Sequence, residues 1–340
     1  MVTAPPPEFT VVNHYVPRWY QHGFIPEAAN SRRYHYLDLK PERVTHPGGG
    51  FHYRTARRHI GPDICFEQEH LYTLFFKEYA TDVIEKRFFG TIDARGADAV
   101  SFFADYKIND QSGKAVQDLV WYIDAQKLRT PKGLDFLKKL SGTDHGKALM
   151  LMRRMHQVHV TTWMEGVWEV VSCDDSATKF IVTDHPVTTY NRAMFPQSQA
   201  CLYPLDAPID LLGTHTIFPL SMNRCLVITN LGYVRNPEVP ALRRRQNPRS
   251  FAETMWDIRR VQTGRQIAEA QVRAINFILK TRARRYIAAA EQDWLFPERH
   301  LKTTMWNKLG GPFFLMPPAK GALHHRIPGW IRRWKRLGPG

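Results

Sequence analysis

The sequence predicts an α+β fold, a mainly helical body carrying a small, mostly antiparallel sheet. Three observations predict it. Apolar residues recur at helical spacing across much of 71–162. Short β-branched runs separated by turn residues fill 163–230. Helical spacing then returns between about 251 and 293.

Taken in order, residues 1 to about 10 are proline-rich and read as loose. Between Val11 and Phe24 the chain is apolar, and Pro17 is placed to open a short helix. Arg32 to Leu39 alternates as a strand, with Tyr34 and Tyr36 against Arg33, His35 and Asp38, and Gly48-Gly49-Gly50 marks a turn. One helix is expected over Asp82–Phe89, continuing toward Ala94. A second is expected over Gln117–Arg129, stopped ahead of Pro131, and a third over Lys147–Thr162. Trp168–Val171 and Phe180–Asp184 read as a hairpin with a long loop. His215–Leu220 and Arg224–Thr229 repeat that pattern across Ser-Met-Asn. In the last third Ile267, Ala274, Ile275, Ile278 and Leu279 fit one helical face, ended by Pro297. The expected organisation is a single domain over 11–300, followed by a basic tail over 301–340 that contains Trp330 and Trp334 among arginines.

The chain has 340 residues and a formal net charge of +15, which favours association with anions. Nucleic acid is the expected partner, with an anionic membrane surface or an acidic protein behind it. The four cysteines form neither a CxxC pair nor a zinc spacing and are expected to be reduced and buried. The N-terminus lacks the pattern of a secretory leader and no run is long enough to span a bilayer, so the expected location is the cytoplasm. Phosphate-binding GxxxxGK[ST], dinucleotide GxGxxG, HExxH and GxSxG motifs are all absent, which leaves Ser/His/Asp catalysis without local support.

Five places carry polar groups where the pattern does not ask for them. Glu85 shares a helical face with Phe88, Phe89 and Ile92; a carboxylate in an apolar stripe must be paired, metal-bound or protonated. Asp93 is a weaker companion. Asp184 and His185 stand before Pro186 at the end of an apolar strand, either as ligand or base, or as an Asx-type turn capping backbone N–H groups. His14 and Arg18, four residues apart among aromatics, would share one turn of helix, with Arg18 able to clamp a phosphate or anchor the segment. Gln126 and Arg129 close a helix, where Arg129 suits the helix dipole or pairs with Glu85 or a phosphate. Finally, Arg243, Arg244 and Arg245 sit in a loop, and Arg273, Lys280 and Arg284 form a stripe on the long helix. Such a stripe tracks a phosphate backbone or is a solvated face, and Glu269 supports the second reading.

The segments HYVPRWYQHGF, IEKRFFGTID, AQKLRTP, FIVTDHPV and the Asn-Arg-Cys-Leu strand occur in an order that resembles a bacterial family of unknown function, number 4238 in the domain-of-unknown-function series. These segments run from residue 13 to about 230. The resemblance implies no activity. It places His14, Arg18, Glu85, Gln126, Arg129 and Asp184 inside signature blocks. His185 stands where that family often carries Asn, which argues against a ligand role there.

Two functions follow as expectations. In the first, the protein is a metal-dependent phosphodiesterase or nuclease of bacterial defence. Glu85 and Asp184 hold Mg²⁺ or Mn²⁺, His14 acts as base or ligand, and Arg18, Gln126 and Arg129 bind the scissile phosphate. In the second, it is a non-catalytic basic binding protein for nucleic acid or an acidic partner, and the signature polar residues form a buried structural network.

Overall fold

The computed structural model describes residues 11–29, 32–75, 80–81, 89–107, 112–155, 159–245 and 261–309. The N-terminal part holds β1 (Val12–His14), α1 (Arg18–His22), β2 (Tyr34–Asp38), β3 (Arg43–Thr45), β4 (Phe51–Tyr53), β5 (Arg57–Ile60), β6 (Glu67–Glu69), β7 (Leu74–Phe75) and β8 (Ala80–Thr81). A helical stretch follows, with α2 (Gly90–Ala104), α3 (Ser112–Arg129), α4 (Pro131–Ser141), α5 (His145–Met155) and α6 (Val160–Met164). The chain continues through β9 (Gly166–Ser172), β10 (Val182–Thr183), β11 (Thr188–Asn191), β12 (Thr214–Pro219), β13 (Arg224–Asn230), α7 (Leu231–Arg235), β14 (Gln262–Gln266), α8 (Glu269–Arg282) and β15 (Tyr286–Ala289).

The larger sheet has the order β11-β12-β13-β9-β14 and the second the order β10-β15-β2-β5. Pairing is antiparallel in both except between β14 and β9. Smaller pairs join β1 to β6, β3 to β4 and β7 to β8.

The expected mainly helical body with one small sheet is therefore corrected to a mixed α/β architecture, with sheet structure on both sides of the helical stretch. The reason lies in burial. Strands β3, β4 and β5 are exposed on both faces, so they lack the alternation that marks a half-buried strand. Strands β11 and β12 are buried at every residue and lack it for the opposite cause.

Two further expectations change. Strands β9 and β10 do not form a hairpin, because β9 pairs with β13 and β14 while β10 pairs with β15 in the other sheet. The C-terminal helical stretch shrinks to α8, flanked by strands on either side, and residues 251–260 lie outside the described part. The hairpin across Ser221–Asn223 forms as read, with Phe218 opposite Leu226.

Helix α3 shows why the middle of the chain folds as it does. Val116, Leu119, Val120 and Ile123 repeat at the spacing of one face, and all are buried. Arg129 ends it, and Pro131 opens α4 from the first-turn position that proline tolerates. Thr130 caps α4 by accepting the Gly133 N–H at 3.2 Å. A Cβ on Gly133 would fall 2.4 Å from the carbonyl oxygens of Lys127 and Leu128, so glycine is what lets α3 and α4 meet this closely.

One hydrophobic core runs from Tyr15 to Leu309. The body continues past residue 300: Trp306 is 6% exposed, its indole N–H donates to the Asn191 carbonyl at 2.9 Å, and the Tyr190 hydroxyl donates to the Leu309 carbonyl at 2.6 Å. All four cysteines are free and buried. No helix among the described residues is long and apolar enough to cross a membrane.

Candidate functional site

The segment Thr183–Pro186 carries the chain out of the four-stranded sheet. The Asp184 N–H still donates to the Tyr286 carbonyl at 2.9 Å, continuing the ladder after β10 ends. Its carboxylate turns onto the start of β15 and accepts three consecutive backbone N–H groups, from Arg284 at 2.8 Å, Arg285 at 2.6 Å and Tyr286 at 2.8 Å. Those donors would otherwise be orphaned where the chain leaves α8, and Asp184 satisfies them in one stroke. The residue is 1% exposed. Burial pushes the carboxyl pKa up, and the three N–H donors oppose it. Of the two readings open in the sequence, backbone capping is the one the coordinates display, and the capped backbone lies 100 residues away rather than in a local turn.

Immediately after it, His185 enters a buried charge hub. Its Nε2 lies 2.9 Å from Asp206 Oδ2 and its Nδ1 2.8 Å from the Thr130 hydroxyl. Burial pushes the imidazole down to about 3, so the ring is neutral. Because the carboxylate can only accept, Nε2–H donates to Asp206 and Nδ1 accepts from Thr130. Asp206 also receives Lys132 at 2.6 Å, Lys127 at 3.1 Å and the Arg282 Nη2 at 2.8 Å. Burial alone would raise the Asp206 carboxyl, but Lys132, Lys127 and His185 outweigh it and hold it well below the usual carboxylate range. Burial in turn lowers Lys132 to about 8.

This hub ties the α3–α4 junction, the 201–206 loop and the end of α8 to one carboxylate. Lys132 also donates to the Arg282 carbonyl at 2.8 Å, and Arg282 to the Cys201 carbonyl at 3.2 Å. The hydroxyl–imidazole–carboxylate chain of Thr130, His185 and Asp206 has the connectivity of a nucleophile relay. Yet Thr130 is fully buried and its oxygen is already engaged by the Gly133 N–H, so in this arrangement it serves as a helix cap.

Arg129 lies nearby and is also buried. Its Nη1 meets Asp93 at 2.8 Å, its Nε donates to Gln126 at 2.6 Å, and Gln126 donates onward to the Tyr15 carbonyl at 2.8 Å. Burial works against this cation, but Asp93 and the surrounding tyrosines hold its pKa above the ordinary arginine value. Asp93, the weaker companion in the sequence, is thus the partner, and Glu85 lies outside the described residues.

His14 and Arg18 do not share a helical turn, since His14 ends β1 and Arg18 begins α1. They converge through the 62–64 turn. Arg18 donates to the Asp63 carboxylate at 2.9 Å, and His14 Nε2 lies 3.2 Å from the Asp63 carbonyl and 3.3 Å from Glu67. Among the described residues, no group of three or more His, Cys, Asp or Glu side chains is arranged to hold a metal ion. An open surface depression of about 420 Å³ is bordered by Arg192, Ala193, Phe195 and Asn307, none of them a signature residue.

The arginine groups singled out in the sequence mostly have acidic partners. Arg244 pairs with Asp210 and Arg245 with Glu165, while Arg243 is exposed and has no ion pair among the described residues. Arg273 meets Glu269 at 2.9 Å, Lys280 meets Glu298 at 2.8 Å, and Arg284, beyond the end of α8, meets Asp135 at 3.3 Å.

Sequence reasoning missed Asp206, Lys127, Lys132 and Arg282. One signal was present: Lys132 sits in the first turn of a helix, where the dipole disfavours a cation, so it calls for a carboxylate. It also missed the basic segment between Arg32 and Ile60, mostly exposed beyond Leu39, which holds seven Lys/Arg against two Asp/Glu and was legible as local charge density.

Residues 144–293 match the family model described as Protein of unknown function (DUF4238). The matched stretch starts later and ends further on than the blocks between 13 and 230. It contains Asp184, His185, Asp206, Arg282 and the capped N–H groups of 284–286. No curated protein and no solved structure matches the chain.

Proposed function

With residues 144–293 belonging to the DUF4238 family as the premise, we propose that the protein binds nucleic acid without cleaving it, and that the polar residues of the family-like blocks are its structural network. The observation that carries this reading is the coordination of Asp184, whose carboxylate accepts three backbone N–H groups while 1% exposed. A carboxylate committed in this way holds strands together, and exposing it to a metal and a phosphate would strip those donors. The same logic extends to Arg129, whose guanidinium is buried against Asp93 and Gln126 rather than presented to a ligand. The binding half of the reading rests on the net charge of +15.

The test is binding of a labelled oligonucleotide across a salt series, with and without Mg²⁺ or Mn²⁺. The expected result is an affinity that falls steeply as salt rises, intact oligonucleotide at every metal, and an Asp184→Asn variant with a lowered melting temperature. Metal-dependent cleavage by the wild type, abolished in Asp184→Asn at unchanged melting temperature, would reverse the reading in favour of the phosphodiesterase.

A further inference from the structure

Strands β2 to β5 form one antiparallel ribbon. Its base is the β2–β5 pair inside the four-stranded sheet, with Tyr36 opposite Arg58. Bonds from the Asp38 N–H to the Ala56 carbonyl at 2.8 Å and from the Arg54 N–H to the Glu42 carbonyl at 2.9 Å carry the pairing outward to β3 and β4. The tip turns at Pro47–Gly50, where Gly49 and Gly50 both take φ of +86°, a conformation that side chains resist.

The ribbon beyond Leu39 contributes almost nothing to the core, and two of its side chains are costly to leave in water. Phe51 is 50% exposed and Tyr53 59% exposed, on the same face of β4, with ring centroids 5.8 Å apart. Opposite them, the Arg43 guanidinium lies 3.7 Å from the Phe51 centroid. The ribbon base adds Arg57, whereas its neighbour Arg58 points to the other face of β5, where its guanidinium lies 5.3 Å from the Tyr36 ring centroid. Arg43 and Arg57 have no acidic partner among the described residues, unlike Arg54, which meets Glu42 at 3.2 Å, and unlike Arg273 and Lys280 of α8. Charged residues on an edge strand such as β5 also discourage pairing with a second copy. That explains Arg57 and Arg58, but it does not explain two large exposed aromatics further out.

We propose that this ribbon is the docking surface for single-stranded nucleic acid, with bases stacking on Phe51 and Tyr53 and phosphates meeting Arg43 and Arg57. The proposal rests on the nucleic-acid reading above and names its site and substrate class. Unstacked bases offer π-faces to aromatic rings and duplex bases do not, so the pairing of exposed rings with unanswered cations selects a single strand.

The test uses the full chain and fluorescence anisotropy with labelled oligo-dT, a duplex of equal length, and vesicles containing phosphatidylserine. Oligo-dT is expected to bind more tightly than the duplex. A Phe51→Ala/Tyr53→Ala double variant should weaken oligo-dT binding about tenfold or more at unchanged melting temperature. An Arg43→Ala/Arg57→Ala variant should reduce the salt slope by about 1.4. A double aromatic variant that binds as tightly as wild type, or a wild type that prefers duplex or vesicles to oligo-dT, overturns the ribbon assignment alone. A wild type that binds no nucleic acid overturns it together with the function it rests on.

Discussion

The Asp206 hub and the Arg32–Ile60 ribbon are both rich in cations, and they differ in whether those cations are answered. In the hub, the cations Lys127, Lys132 and Arg282 and the neutral His185 all converge on one carboxylate, and the main chain takes up further donors. In the ribbon, Arg54 meets Glu42, but Arg43 is stacked on an exposed ring and Arg57 faces solvent, neither with an acid among the described residues. The difference teaches that net charge does not by itself point to a binding surface, and that the proposed one is distinguished by cations without acids beside exposed rings. The α8 stripe makes the same point, because each of its cations is matched by Glu269, Glu298 or Asp135.

The comparison can be broken at the hub first. Asp206→Ala leaves several buried cations facing one another, and should cost about 3–5 kcal/mol or prevent folding, as read by denaturant unfolding. A variant of wild-type stability would mean that the hub is not the lock it is described to be.

Acid provides the next test. Burial pushes both His185 and His215 down to about 3. In the unfolded chain each takes up a proton near pH 6.5, so between those values the unfolded state binds more protons. Stability should therefore decline as pH falls from about 6.5 toward 3, by on the order of a few kcal/mol. Asp206 adds to the loss below the unfolded carboxylate pKa. His185→Asn should make the decline shallower, measured as melting temperature against pH, and an unchanged slope would remove His185 from the account.

Smaller again is Asp184→Asn, which turns an amide toward three N–H donors. It should cost about 1–3 kcal/mol and speed hydrogen exchange at Arg284–Tyr286. The smallest effect is expected at the compensated stripe. Arg273→Ala should change stability by less than about 1 kcal/mol and leave oligonucleotide affinity within about twofold, since a half-buried i,i+4 pair near the surface contributes little. A large loss of binding there would move the interface from the ribbon to α8.

What could be read in the sequence followed from local rules. The α3 face, the Pro131 boundary and the Ser221–Asn223 turn each depend on residues within a few positions of one another. Asp184, Gln126 and Arg129 stood out because polar groups beside proline or at a helix end are constrained wherever they occur. The β9–β10 hairpin failed because adjacency in sequence was taken for pairing, when β10 finds its partner in β15, about 100 residues on. Asp206 carries no local pattern at all, and its importance arises only where the α3–α4 junction, a loop and α8 converge. Strands β3, β4 and β5 escaped because neither face is buried, which removes the period that reveals a strand.

Strand β15 sits between β10 and β2. A chain emerging from the ribosome therefore has β2, β5 and β10 long before the strand that joins them, and Asp184 waits for Arg284–Tyr286 before its carboxylate has donors. Any product ending before residue 284 would expose two strand edges and an unanswered buried acid, so complete chains and fragments should part sharply in solubility. The contacts of Asp184 therefore close the second sheet only when nearly all of the described chain has been made.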